Sequence, residues 1–156
     1  MGVTGGDVPE FVRHLDMAQV VDSGNEEYYR SLRRHELRLQ RCSGCGYVRH
    51  PARPFCPECL GDGFVWETHE GTGRVEAIIW YEQEVHLTEG PPYPWNRPDV
   101  LPYNVAVVRL DGDGPQLLTN IHGVEPGDIG CGQAVRAQFA DVTDDYGTLH
   151  FRPSDA

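Results

Sequence analysis

Two Cys-x-x-Cys pairs, Cys42/Cys45 and Cys56/Cys59, are the residues whose type and spacing most clearly specify chemistry in this chain. Each pair can present two thiolates from one tight turn, and the ten residues between the pairs let both turns converge on one ion. Zinc takes four such sulfurs tetrahedrally at structural sites, and iron suits the same cage as a minor alternative. Two disulfides or four buried thiols are the competing readings. Gly44 and Gly46 stand where a metal knuckle needs close backbone approach or positive φ, and Pro57 fixes φ in the second knuckle. Four protein ligands leave no open coordination position, so the predicted role is a staple and not a catalyst.

Other reactive groups are isolated. Cys131 lies in Asp128-Ile-Gly-Cys-Gly132 with no base beside it in sequence. A nucleophilic thiol needs a base or cation to ionise it, so the reading for Cys131 is a small residue in a turn. The seven histidines, His14, His35, His50, His69, His86, His122 and His150, show no metal-ligand spacing with one another. His86 and His122 fall at expected strand ends, where a site could assemble, but a hydrogen-bonded loop histidine is the simpler role. No phosphate-cradling glycine loop, serine elbow or dinucleotide fingerprint is present. The sequence names no catalytic group.

At 156 residues the chain is one domain, or a small domain with a metal module attached. No apolar run approaches the roughly 18 residues of a membrane span, and the N-terminus lacks the basic-apolar-small order of a secretion signal. With paired knuckles, that predicts a reducing, cytoplasmic setting. The net charge of −11 is unevenly spread. Residues 28–59 hold seven arginines against Glu36 and Glu58, a balance of +5, whereas residues 60–156 hold five arginines against sixteen acids, a balance of −11. The basic cluster is either a solvated surface or a surface for phosphates and carboxylates, which guanidinium grips bidentately. The acidic remainder argues against a continuous basic face for nucleic acid.

Residues 1–24 are weakly patterned and read as a loose or partner-ordered lead. Ser23-Gly-Asn-Glu26 resembles a capping box opening a helix over Glu26–Glu36. Leu37–Arg41 and Tyr47–Arg49 read as short strands entering and leaving the first knuckle, a zinc ribbon in outline. After Gly61-Asp-Gly63, strands are expected at Phe64–Glu70, Arg74–His86, Tyr103–Leu110, Gln116–His122, Gln133–Asp141 and Thr148–Arg152. In the second of these, Val75, Ala77, Ile79 and Tyr81 are expected to share one face. Asp111-Gly-Asp-Gly114 is a hairpin turn, and Leu87–Pro102 is a long proline-rich loop of the kind usually bound or functional. Strands so short and regularly punctuated predict a mainly β protein: an N-terminal helix, a zinc ribbon, then an OB-fold β-barrel, divided as 1–24, 25–62 and 63–156.

The run from Tyr28 to Pro153 resembles the acyl-CoA-associated OB-fold family with an N-terminal rubredoxin-like zinc ribbon. The likeness is carried by the helix Glu27–Arg34 and by Leu37-Arg-Leu-Gln-Arg-Cys42 with the knuckle Cys42-Ser-Gly-Cys45. It continues through Pro51-Ala-Arg-Pro54 into Cys56-Pro-Glu-Cys59, then Trp66, Tyr103-Asn-Val-Ala-Val-Val, Leu117-Leu-Thr-Asn120 and Phe151-Arg-Pro153. The resemblance implies an accessory subunit bound to a thiolase-like or lipid-transfer-type aldolase enzyme, in a two-plus-two assembly with acyl-CoA at the interface. The partner would hold the catalytic residues. Arg41, Arg49 and Arg53 are then the candidates for the partner or the CoA phosphates, and Tyr93 and Trp95 for an interface. Two other readings compete: a stand-alone zinc-ribbon OB module for single-stranded nucleic acid or acyl-CoA, and an enzyme using Cys131 or a histidine.

Overall fold

The computed structural model describes residues 17–82 and 101–154. It opens with a single helical turn, α1 (Met17–Val20), whose Met17 is buried. Helix α2 (Glu26–Arg33) follows, and its cap differs from the expected box. Asp22 Oδ1 accepts from the N–H groups of Gly24 and Asn25, and Asn25 Oδ1 accepts from Asp22 N–H, while Glu26 turns to Arg30 and the Tyr146 hydroxyl. Those partners, one a turn along the helix and one on the distant β7–β8 turn, outcompete a return to Ser23. The helix also ends before Glu36, because His35 adopts φ 59° and Glu36 N–H bonds back to Ser31 C=O.

Strands β1 (Leu37–Cys42), β2 (Val48–Arg49) and β3 (Phe64–His69) form an antiparallel sheet in the order β2-β1-β3. A second sheet holds β4 (Thr72–Tyr81), β5 (Tyr103–Leu110), β6 (Gln116–Thr119), β7 (Ala134–Asp141) and β8 (Gly147–Pro153), in the order β6-β5-β4-β7-β8. Its two edges meet through a parallel bridge between Ile121 and Phe151, with Phe151 N–H on Asn120 C=O and His122 N–H on Phe151 C=O. That contact curls the five strands into an OB-type barrel and removes an exposed edge. Asn104, 4 % exposed inside β5, stabilises the closure because its amide side chain pairs with both the N–H and the C=O of Ile121, at 2.8 and 2.7 Å.

Val75, Ala106, Val108, Leu110, Leu117, Ile121, Val135 and Phe151 form the barrel interior with Tyr28 and Leu32 of α2 and Leu37 and Leu39 of β1. Helix, ribbon and barrel thus share one core. Strand β4 departs from simple alternation. A bulge at Glu76 sets Val75 opposite Val108 and Ala77 opposite Val107, so Val75 points into the core while Ala77, Ile79 and Tyr81 point out. The single face expected for these four residues is therefore split at Glu76.

Helix α2 approaches the barrel closely only because residue 147 is glycine. A Cβ there would lie 2.8 Å from both the Arg33 nitrogen and the Leu32 carbonyl carbon, which are backbone atoms that cannot step aside. Gly147→Ala is expected to cost about 2 kcal/mol, read as a lower urea midpoint with an unchanged β-rich circular dichroism spectrum.

Candidate metal centre

The two knuckles are similar turns built from different sequences. In the first, Gly46 N–H bonds Cys42 C=O at 3.0 Å; in the second, Leu60 N–H bonds Cys56 C=O at 2.9 Å. Each then turns through positive φ, 79° at Gly46 and 60° at Leu60. Sequence reasoning finds the first of these positions from its glycine, whereas the leucine gives no such signal. Strand pairing of β1 with β2 and β3 aims the turns at each other: Cys42 closes β1, opposite Phe64, and Ser43 N–H reaches Gly63 C=O.

The four sulfurs converge within 4.8 Å of one another. Cys42 Sγ lies 3.6 Å from Cys59 Sγ and Cys45 Sγ lies 3.6 Å from Cys56 Sγ. A tetrahedron with metal–sulfur bonds of about 2.3 Å has sulfur–sulfur edges of roughly 3.8 Å, so the cage has the size of a metal-thiolate centre. Disulfides need sulfurs at roughly 2.0 Å, and all five cysteines are free thiols. The electrostatics also favour a cation. Backbone N–H groups of Cys45 and Gly44 directed at Cys42 pull its thiol down to about 6. The N–H of Tyr47 favours the Cys45 thiolate too, but desolvation and the sulfurs of Cys56, Cys59 and Cys42 outweigh it and push that thiol up to about 12. A bound divalent cation removes this conflict by letting all four sulfurs ionise. Among the described residues this is the one group of three or more such ligands within metal-binding distance.

The arginines named with the centre occupy distinct places. Arg41 makes a two-pronged ion pair with Glu67 of β3 and donates to Gly46 C=O at 2.8 Å, bracing the first knuckle. Arg49 is 3 % exposed. Its Nε donates to Gln40 Oε1 at 2.7 Å and its Nη2 to Arg53 C=O at 2.8 Å, while Gln40 Oε1 also accepts Arg53 N–H at 2.9 Å. The guanidinium lies 5.1 Å from the Phe64 ring centre. This clamp fixes the Pro51–Pro54 connection that delivers the second knuckle. Arg53 itself is exposed. Arg49→Met removes the side-chain donor to Arg53 C=O and one of the two donors to Gln40 Oε1, and is expected to cost about 2 kcal/mol, with faster transfer of metal to a chromogenic chelator. Tyr93 and Trp95, and with them the Leu87–Pro102 loop before Leu101, lie outside the described residues, as do His14 and His86.

The basic cluster is largely paired within the chain. Arg30 meets Glu26 and Asp145, Arg33 meets Asp141, Arg34 meets Glu27 and Glu36, and Arg38 meets Glu27. Three of these six pairs, Arg30–Asp145, Arg33–Asp141 and Arg38–Glu27, tie α2 to the β7–β8 turn, the end of β7 and β1, and so help to seat the helix. Cys131 is exposed and donates from Sγ to Glu76 C=O at 3.1 Å, satisfying the carbonyl freed by the bulge. His122 packs its ring against that of His150, centres 4.7 Å apart. A groove of about 590 Å³ separates the first knuckle, at Arg41, Cys45 and Tyr47, from the turn after β5 at Gly112 and Asp113.

A four-sulfur ribbon fused to an OB barrel defines a β scaffold with a site sized for one metal ion. Comparison with known proteins agrees with that class. Residues 31–65 match the model described as ChsH2, rubredoxin-like zinc ribbon domain, and residues 66–140 match ChsH2, C-terminal OB-fold domain. A "DUF35 domain-containing scaffold protein" of Methanothermobacter thermautotrophicus is 30% identical over 113 residues, 72% of this chain and 77% of that protein. The chain belongs to this ChsH2/DUF35 family. A "Probable enoyl-CoA hydratase alpha subunit" of Thermomonospora curvata is 32% identical over 136 residues, 86% of this chain but 39% of that longer protein. Among solved structures, the one titled "Ltp2-ChsH2(DUF35) aldolase" superposes with TM-score 0.68 at 28% identity, covering 85% of this chain and 96% of that one. A DUF35-family protein of unknown function from Sulfolobus solfataricus shares the fold at TM-score 0.58 and 16% identity, over 92% and 94% of the two chains.

Proposed function

We propose that this chain is a non-catalytic accessory subunit of an acyl-CoA-processing complex that makes or cleaves carbon–carbon bonds. The observation that carries the reading is its 85% coverage by the solved chain whose title names a two-protein aldolase. The relative described as an enoyl-CoA hydratase subunit supports CoA thioester chemistry from a second direction. In this reading the partner is a thiolase-like or lipid-transfer-type aldolase protein, the assembly is a two-plus-two heterotetramer in the cytoplasm, and acyl-CoA lies at the subunit interface.

The ion is zinc, held by Cys42, Cys45, Cys56 and Cys59, and its contribution is to fix the ribbon against α2 and the barrel. On the ribbon surface, Arg41 and Arg53 are the proposed contacts for CoA phosphates or the partner, with Arg49 holding Arg53's backbone from within. Arg41 would have to share its guanidinium between Glu67 and the phosphate, and it lines the groove beside the first knuckle. Tyr93 and Trp95 complete the proposed contacts.

Affinity purification of the chain from its own host, followed by mass spectrometry of the eluate, tests the proposal. A stoichiometric thiolase-like protein is the expected result. Nucleic acid in the eluate, or the chain alone, would overturn it.

A further inference from the structure

The outer face of β4, β5 and β6 is an apolar surface laid out by strand register. Ala77, Val107 and Leu118 lie side by side across the three strands, Ile79 faces Val105 in the next row, and Tyr81 faces Tyr103 in the row beyond. Leu118 is 76 % exposed and Ile79 is 55 % exposed. The two tyrosine rings stack with centres 4.7 Å apart. At about 4.8 Å between strands and about 3.4 Å per residue, the face measures roughly 10 by 14 Å. It exists because of the bulge at Glu76, which turns Ala77, Ile79 and Tyr81 outward. One end is closed by a polar edge in which Glu76 binds Arg109 at 3.0 Å and Gln116 at 2.5 Å. Neighbouring exposed aliphatic groups are unfavourable in water, and an apolar patch with a polar border is the signature of an interface.

We propose that this face docks the catalytic partner subunit, through a surface that is apolar at its centre and rich in arginine or lysine at its rim. The proposal rests on the accessory-subunit reading above and adds the location and chemistry of the contact. Charge chooses the occupant. Residues 60–156 carry five arginines against sixteen acids, so a second copy would bring like charge to like charge. The apolar area is also well short of the roughly 800 Å² per partner of a stable interface, so charge complementarity around it must supply the remainder. A basic-rimmed partner meets both conditions, and another copy of this chain docked through the same face meets neither.

The test uses the full chain and the thiolase-like protein recovered in the purification above. Leu118→Glu and Ile79→Glu place a carboxylate on the face without touching the core. Val20→Glu, at a position 41 % exposed on α1, is the control for charge added elsewhere. Binding by either face variant is expected to weaken roughly 100-fold, with Val20→Glu near wild type and wild-type affinity falling as sodium chloride is raised. Hydrogen exchange on the wild-type complex supplies a measure free of any folding defect, and protection over 77–81, 103–107 and 116–119 is expected. A complex that tolerates Leu118→Glu and is protected elsewhere overturns this proposal alone. A wild-type homodimer dissolved by Leu118→Glu in sedimentation also overturns it, in favour of a second copy. Recovery of the chain without any such enzyme overturns it together with the accessory-subunit reading.

Discussion

Serine in place of both Cys42 and Cys45 is expected to abolish metal binding and unfold the ribbon. Structural metal in such modules contributes on the order of 10 kcal/mol, and an unformed site contributes none of it. Cys42 is 2 % exposed at the end of β1, so its loss acts where the ribbon sheet meets the rest of the protein. Leu37 and Leu39 of the same strand lie in the shared core with Val75, Val108 and Phe151. The damage therefore spreads: the melting transition should fall and broaden as the barrel loses that side of its core. Metal content by plasma mass spectrometry should drop from about one ion per chain to below a tenth of that. Bound partner should be lost with it. A metal-free variant that melts like wild type and still binds would refute the staple role.

A second large effect is a loss of stability in mild acid. His150 is 5 % exposed, and burial, with His122 adding to it, lowers its pKa from 6.5 to about 3. Burial alone lowers that of His50 from 6.5 to about 4. Both imidazoles stay neutral in the folded protein while the unfolded chain takes up protons below 6.5. Stability is therefore level above 6.5 and falls with pH down towards each folded value. Each histidine is expected to cost about 2 kcal/mol at a pH of about 5 relative to neutrality, roughly 4 together. Urea midpoints across that range measure the slope. His150→Phe keeps a ring and removes the titration, so it should flatten the curve by about half. An unchanged slope in that variant would assign the acid sensitivity to other groups.

The metal centre was legible in the sequence because its determinants are local. Two thiolates three residues apart specify a knuckle whatever surrounds it, with a glycine directly beyond only in the first, and two knuckles specify a four-sulfur cage. The hairpin turn at Asp111–Gly114 and the order of strands were legible for the same reason, since turn residues and apolar runs act over a few positions. The helix boundary was less so: His35 ends α2 in a left-handed conformation that nothing in its own side chain requires.

Three features were decided only in three dimensions. The arginines read as a basic cluster are paired with acids as distant as Asp141 and Asp145, separations that no local pattern encodes. Arg49, one of three similar arginines near the knuckles, is drawn inside because Gln40 and the Arg53 carbonyl offer it acceptors there. The β4 pattern reads as one alternating face, but pairing with β5 inserts Glu76 as a bulge and reverses every side chain beyond it. Sequence alone determined a mainly β protein with four cysteines spaced for one metal-sized cage, because thiolate spacing and strand punctuation are properties of short segments. Tertiary structure alone decided which charges are neutralised and which apolar residues face water, because a one-residue shift in pairing, set by the partner strand, exchanges inside for outside.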